Sequence, residues 1–258
     1  MTTRALTFGA DAAGYERHRP GYPDSLIAKI IDYAALPIRT ALEVGAGTGK
    51  ATRVMAAHKI TVIASEPDPR MLDILREQTA GLPVRTMAGA FEQLPVDELA
   101  GQVELVYAAA AWHWTDPATR WDRLAAILPA GGTAAFFGGE LELADPEVRA
   151  RFRQAIGDEA DPHAGPQLNP VDRVGWAWPA SEIAEDPRFG GIEEHAIPRR
   201  LWFGRDDFIG HIGTQSRFLI IEPEQRKLIF ERVRAVMPDR IEFVSDLVLH
   251  LARRAGPE

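Results

Sequence analysis

The 258-residue chain contains no cysteine. That single absence excludes disulfides, thiolate nucleophiles, thiolate-bound zinc and iron–sulfur clusters. Basic residues are outnumbered: 29 Lys and Arg against 37 Asp and Glu leave a net charge of −8, a poor match to a phosphate backbone. No apolar run approaches the roughly 20 residues needed to span a bilayer, and residues 1–20 are charged and lack the apolar stretch of a secretory signal. No internal repeat or low-complexity tract is visible, and the spacing of His163, His195, His211 and His250 suggests no metal site. The expectation is a soluble, cytoplasmic protein, monomer or homodimer, with no nucleic-acid partner, no membrane partner and no metal. What is present is the composition of a globular protein, 46% hydrophobic and 26% charged, in a chain long enough to bury a substantial core.

From residue 40 short apolar runs alternate with amphipathic stretches. They predict strands at 40–44, 61–66, 84–87, 103–109 and 133–137, with helices near 48–58, 68–80 and 117–128. Asp116 as N-cap and Pro117 at the first helical position predict the start of the last helix, with Trp121, Leu124, Ala125 and Leu128 on one face. Strands buried on both faces and separated by helices imply a mostly parallel sheet in an α/β layered fold. Beyond residue 140 the pattern loosens. A helix is expected over 145–160, then an irregular Pro- and Gly-rich segment over 161–191 that carries Trp176 and Trp178. A strand at 192–203, helices at 205–218 and 222–237 and a final strand at 240–252 complete the reading, which is of one domain, 1–258, with insertions.

The most informative stretch is Ala41-Leu42-Glu43-Val44-Gly45-Ala46-Gly47-Thr48-Gly49-Lys50. A buried strand delivers three glycines at alternate positions and a helix follows, so a ligand can lie against the backbone beside free helix N–H groups. A dinucleotide fingerprint would read G-x-G-x-x-G; here the spacing is G-x-G-x-G and Lys50 occupies the place of the third glycine. Glu43, two residues before the first glycine, would repel a pyrophosphate and suits an ammonium or a water-bridged ligand. Glu66 falls 21 residues after Gly45, close to the offset at which an acid reaches ribose hydroxyls in adenosine-binding folds. Asp68 before Pro69 reads as a helix cap.

E-V-G-A-G-T-G at 43–49, S-E-P-D-P-R-M-L at 65–72, G-A-F-E-Q-L-P at 89–95, A-A-A-W-H-W-T-D-P at 109–117 and L-P-A-G-G-T at 128–133 occur in order. Together they resemble the class I S-adenosylmethionine-dependent methyltransferases, and in particular the small-molecule enzymes of the ubiquinone-biosynthesis and trans-aconitate group. Y-E-R-H-R-P-G-Y-P at 15–23 and L-H-L-A-R-R at 249–254 extend the likeness toward both ends. The resemblance implies a Rossmann-like seven-stranded sheet in the order 3-2-1-4-5-7-6, the last strand antiparallel. It also implies an N-terminal lid at 1–35, a cofactor-binding core at 36–139 and a variable acceptor-side part at 140–258 with an inserted helical cap. The implied cofactor is S-adenosylmethionine, with S-adenosylhomocysteine as product, and the implied partner is a small-molecule acceptor. Carried over position by position, Gly45, Ala46 and Gly47 pass beneath the methionine part and ribose, and Glu43 meets the amino-acid end. Glu66 accepts from the ribose, Pro67 and Met71 pack near adenine, and Gly89, Ala90 and Phe91 cover the base, with Glu92 nearby. Ala108 or Ala109 offers a carbonyl to the ammonium, and Tyr15 and Arg19 close over the methionine end, where a guanidinium suits a carboxylate.

The reaction implied is in-line displacement at a sulfonium methyl, in which alignment and exclusion of water supply much of the catalysis. A base is required only when the acceptor must lose a proton; His113, Tyr15 and His18 are the candidates, with an orienting role for His113 left open. Trp112, His113 and Trp114 are expected on the acceptor side, where an indole face tolerates the sulfonium. Trp112 stands where relatives more often carry Phe or Leu. Trp176 and Trp178, with Trp202 and Phe203, are further acceptor-pocket candidates. Arg199 with Arg200, or Arg253 with Arg254, could meet an anionic acceptor or simply form a solvated face. Alternative readings are a protein of this fold that binds the cofactor but acts as a cyclase or scaffold, and a nicotinamide-dependent oxidoreductase.

Overall fold

A computed structural model describes residues 9, 11–157 and 178–256; Trp176 and most of the segment read as irregular lie outside the described residues. Two helices, α1 (Ala12–His18) and α2 (Asp24–Tyr33), precede β1 (Thr40–Val44). There follow α3 (Lys50–Ala57), β2 (Thr61–Glu66), α4 (Pro69–Gln78), β3 (Val84–Ala88), α5 (Val96–Leu99), β4 (Leu105–Ala109), α6 (Arg120–Ile127) and β5 (Thr133–Gly138). Next come a two-residue β6 (Glu142–Leu143), α7 (Pro146–Ile156), α8 (Ala180–Ile183), the long β7 (Phe189–Gly204), α9 (Arg205–Gly213), α10 (Ser216–Leu219), α11 (Pro223–Val236) and β8 (Arg240–Arg254).

Strands β1 to β5 are parallel in the order β3-β2-β1-β4-β5, and β8 joins β5 antiparallel. With β7 on the far side of β8, the expected order is reproduced. The addition is β6, which pairs with Phe243 and Val244. It forms because β8 overshoots the end of β5, whose pairing stops at Gly138 and Val248. Apolar residues on the two sheet faces build two cores. Leu26, Ile27 and Ile30 of α2, Met55 of α3 and Leu75 of α4 pack on one face. Phe91, Leu99 of α5, Leu124 of α6 and Ile183 of α8 pack on the other.

Local chemistry explains where two elements depart from expectation. Asp116 was expected to cap α6, yet its carboxylate accepts from Ala118 N and from the Thr119 hydroxyl. That side chain closes a turn instead, and the helix begins at Arg120. The helix expected over 205–218 is two pieces. The Thr214 hydroxyl donates to His211 O and ends α9 at Gly213. By contrast Asp68 caps α4 as read, accepting from Arg70 N with Pro69 at the first position.

The β7–β8 ribbon runs beyond the rest of the sheet, and α7, α9, α10 and α11 fold against its overhang around a third core. Phe152, Phe208, Ile229, Val233 and Phe243 belong to it. Phe243 is the hub, with ring centroids of Phe203 and Phe208 at 5.0 and 5.7 Å. Phe243→Ala should lower unfolding stability by about 3–5 kcal/mol; urea denaturation followed by circular dichroism checks this, and a loss below 1 kcal/mol would show that this cap core carries little of the stability.

Candidate active site

Strand β1 ends in a loop that turns back on itself. Gly45 and Gly47 have φ of +68° and +59°, the left-handed region that side chains disfavour. A Cβ on Gly45 would lie 2.6 Å from Ala111 Cβ. The loop is tied down by Glu66 at the end of β2, whose Oε2 accepts from Gly47 N at 2.8 Å and whose Oε1 accepts from Asp68 N at 2.9 Å. Met71, one turn into α4, packs beside Gly47.

Beneath the loop Glu43 is 0% exposed. Its Oε2 accepts from the Thr52 hydroxyl at 2.5 Å and the Tyr107 hydroxyl at 2.8 Å. Its Oε1 is buried with no hydrogen-bond partner among the described residues, and so is Thr48 Oγ1. Burial pushes the Glu43 carboxyl up to about 7 against the pull of those two hydroxyls.

Helix α1 lies beside this loop, fastened through its second half by Glu16 and Arg19. Glu16 pairs with Lys50 at 3.4 Å and Arg53 at 2.7 Å, and Lys50 Nζ also donates to Glu16 O at 2.6 Å. Lys50, read from sequence only as a missing glycine, is thus a latch. Arg19 donates through Nε to Thr214 Oγ1 at 2.8 Å and through Nη2 to Thr214 O at 3.1 Å, and lies over the Tyr15 ring. His18 is packed against Gly210, where an added Cβ would fall 2.5 Å from the imidazole.

A cavity of about 800 Å³ lies between the loop and the cap. Of the residues expected to bind cofactor, Tyr15, Arg19, Glu43, Gly45, Ala46, Gly47 and Ala109 line it. Tyr22, Ala110, His211, Gln215 and Arg217 line it without having been singled out as site residues from sequence. Ala110 takes a positive φ of 53° as the chain leaves β4. His211 Nδ1 donates to His18 O at 3.3 Å, which leaves Nε2 as acceptor for Gln215 Nε2 at 3.3 Å. Gln215 Oε1 in turn accepts from Arg217 Nε at 2.9 Å, fixing the amide orientation. Burial, with the cations Arg19 and Arg217, holds the imidazole down at about 3. It is neutral at physiological pH.

Other expected site residues sit elsewhere. Trp112 is 2% exposed and belongs to the sheet's second core, 4.4 Å from Phe136 and 5.3 Å from both Phe91 and Trp121. It does not line the cavity, because its large apolar ring is taken up by that cluster. The Phe91 ring is in the same cluster, while Gly89 and Ala90 are half-buried. Gly89 N donates to Glu66 O and Ala90 N to Gln93 Oε1. Pro67 is half-buried and Ala108 is buried within β4. His113 is exposed and rests on Trp114 at 4.5 Å; neither lines the cavity, nor does His18. Trp178 is 40% exposed, and its Nε1 donates to Glu182 beside Arg120. Of the arginine pairs, Arg200 bonds Glu242, Arg253 bonds and covers Tyr33, and Arg254 bonds Ala125 O and Arg188 O. Arg199 lines the cavity. Among the described residues no cluster of His, Asp and Glu could hold a metal ion.

A methyltransferase-domain family model matches residues 42–136, the span that carries the loop and β1 to β4. An uncharacterized methyltransferase of Mycobacterium tuberculosis is 42% identical over 235 residues, which cover 90% of this chain and 86% of the relative. A probable S-adenosylmethionine-dependent methyltransferase of Saccharomyces cerevisiae is 30% identical over 139 residues, 52% of this chain and 47% of that protein. Among solved structures, one from Anaeromyxobacter dehalogenans with a provisional type II methyltransferase assignment superposes with a TM-score of 0.62 at 22% identity, over 93% of this chain and 99% of that one. The Haemonchus contortus phosphoethanolamine N-methyltransferase 2, solved with phosphomonomethylethanolamine and S-adenosylhomocysteine, superposes with a TM-score of 0.52 at 13% identity, over 98% of this chain and 58% of that one. The two structures speak for the fold; the mycobacterial relationship, running through the glycine loop and most of both chains, speaks for descent. The chain belongs to the class I S-adenosylmethionine-dependent methyltransferases.

Proposed function

We propose that this protein binds S-adenosylmethionine against the glycine loop and transfers its methyl group to a small molecule held in the cavity under the cap. The observation that carries the reading is Glu43, a residue of the cavity lining whose buried Oε1 has no partner among the described residues. A carboxylate so placed calls for a cationic donor, and the ammonium of an amino-acid moiety supplies one. The rest of the chain fits the same ligand. Gly45, Ala46 and Gly47 give a surface without side-chain bulk, and Glu66 keeps lone pairs for ribose hydroxyls beyond its two backbone donors. Pro67, Met71, Gly89, Ala90 and Phe91 belong to the adenine side in this reading, and Ala108 and Ala109 to the ammonium side. Tyr15 and Arg19 cover the methionine end. When bound, the cofactor supplies a methyl on a sulfonium whose sulfur leaves as a neutral thioether, so no acid is required.

The chain's own contribution is then alignment and dryness. The α1 latch to Lys50, Arg53 and Thr214 shuts one side, and the cap shuts the other. Proton transfer plays a small part in this reading. His211, held at about 3, is a feeble base at pH 7, and burial raises the Tyr15 phenol. His18 is packed on α9, and His113 lies off the cavity wall.

Calorimetric titration should show binding of S-adenosylhomocysteine and none of NAD; binding of NAD alone would overturn the reading. Gly47→Val should abolish S-adenosylhomocysteine binding, since a β-branched residue resists φ of +59°, and normal affinity in that variant would refute the placement of the loop. Bound cofactor with no transfer to any of a broad set of metabolites would instead favour a cyclase or scaffold. The Glu43 carboxyl, raised from 4.5 to about 7, holds its proton more tightly in the native than in the unfolded state. Wild-type stability relative to Glu43→Gln should therefore fall as pH rises from about 4.5 to 7, by on the order of 3 kcal/mol, and level off above. Denaturant melts across that range read it directly, and a flat difference would remove the buried acid from the account.

A further inference from the structure

The sheet ends in a strand with one side open. Among the described residues β7 pairs with β8 and with no other strand, and it runs for 16 residues. The ladder shows which of its backbone groups face outward. On β8, Arg254 N donates to Gly132 O, Gly131 N donates to Arg254 O, and Ala144 N donates to Glu242 O. Even-numbered residues of β8 therefore bond toward β5 and β6, and odd-numbered ones toward β7. Ser245 stands opposite Arg199 and Leu247 opposite Ile197, so the odd-numbered residues of β7 bond to β8. The even-numbered ones, Ala196, Pro198 and Arg200 among them, turn their backbone groups away from it. Pro198 fits this geometry, because its missing N–H falls on the outer side and no bond to β8 is lost.

An open edge of this length invites another strand, and proteins blunt such edges with charge, proline or bulges. A bulge interrupts β7 between Gly190 and Glu193, but beyond it the charges change sign along the strand: residues 193–200 read E-E-H-A-I-P-R-R. Glu194 and Arg200 are both exposed and share the outer face of the ribbon. Within the chain they meet His250 at 3.3 Å and Glu242 at 2.9 Å. A second copy laid antiparallel about a two-fold axis at Ile197 brings Glu194 opposite Arg200 twice, once on each side of the axis. Sliding that copy by two residues sets Glu194 opposite Pro198 or Trp202 instead. In the matched register Ala196 N–H meets Pro198 C=O of the second copy, and the proline costs one bond per chain. Trp202, 52% exposed, comes opposite Ile192, which packs on the sheet's second core, so an apolar contact closes each end of the seam.

We propose that two copies of this chain form a homodimer through the outer edge of β7, the two sheets continuing into one another as antiparallel strands. The contact is isologous, so every complementary pair is made twice. Opposite charges directly across a ladder favour this register. Each chain carries a net charge of −8 and repels its copy at a distance; the reversal of sign along β7 offsets that repulsion where the edges meet. The ribbon braced in this way supports the cap, since Leu201 and Phe203 on the opposite face of β7 pack against the third core. The proposal is independent of what the cavity binds.

Sedimentation velocity on the full chain reads the oligomeric state, and the wild type should run as a dimer at micromolar concentration. Arg200→Glu and Glu194→Arg should each weaken self-association by about tenfold or more, because each sets like charges opposite one another on both sides of the axis. Mixed in equal amounts, the two variants should dimerise again: Glu194 of one chain meets Arg200 of the other, and the two reversed side chains meet as opposite charges. Mixing cannot repair a lost contact to His250 or Glu242 within a chain, so the recovery reads the seam itself. Ala196→Pro should also weaken the dimer, since it removes an outward N–H and leaves the bonds to β8 in place. Thermal melts confirm that each variant folds, and Ala196→Pro carries the test if a charge reversal does not. A wild type that stays monomeric at tens of micromolar, a dimer indifferent to all three substitutions, or a mixture no more associated than either variant alone would overturn the proposal.

Discussion

A buried carboxylate organises the centre of this molecule. Glu43 emerges from the middle of the sheet where water does not reach it, and an ionised acid there is expensive unless donors surround it. Two hydroxyls meet one of its oxygens, Thr52 from α3 and Tyr107 from β4. The acid therefore couples three elements, the strand that carries it, the helix after the glycine loop and the neighbouring strand. Its second oxygen has no hydrogen-bond partner among the described residues. The loop geometry follows from the same constraint: with Glu43 below and Glu66 holding Gly47 N, residues 45–49 must double back, and only left-handed backbone allows it.

The other walls come from distant parts of the chain. Helix α1, near the start, is held by the first turns of α3 and by Thr214 after α9. The cap depends on the overhang of β7 and β8, whose inner face continues the sheet past the point where β5 ends. The cavity floor is thus sheet on one side and ribbon on the other, with the glycine loop at the junction. Ligands of open α/β sheets bind where strand order reverses beyond the carboxyl ends of the strands, and β1 and β4, which flank that reversal, supply Glu43 to Gly47 and Ala109.

Local pattern made half of this legible. Strands β1 and β2 begin and end where their apolar runs meet turn residues, and α4 starts at the Asp-Pro pair, since both signals lie within a few residues of what they specify. The glycine loop and Glu66 were legible for the same reason. The start of α6 was not, because Asp116 can cap a helix or close a turn and its side chain chose the turn. Aromatic residues are harder to place from sequence. Trp112 and Trp178 have the chemistry of a binding wall and equally that of packing, and only the arrival of Phe136 and Phe91 around one, and of Glu182 and Arg120 around the other, decides. The signal for His211 is nonlocal: the packing of α9 on α1 brings it to the cavity. No spacing in the sequence records that.

The latch on α1 has a kinetic side. Its grip on the core is ionic, Glu16 against Lys50 and Arg53, with side chains 12–28% exposed. Charges held this far from bulk water attract more strongly than surface pairs, and salt screens them less. Apolar contact between a helix and a cleft would weaken on cooling; this seam has no such dependence at its heart. For α1 to lift in the proposed reading, Glu16 must part from Lys50 and Arg53 together, so the residue standing in for a third glycine helps to keep time at the cavity's mouth.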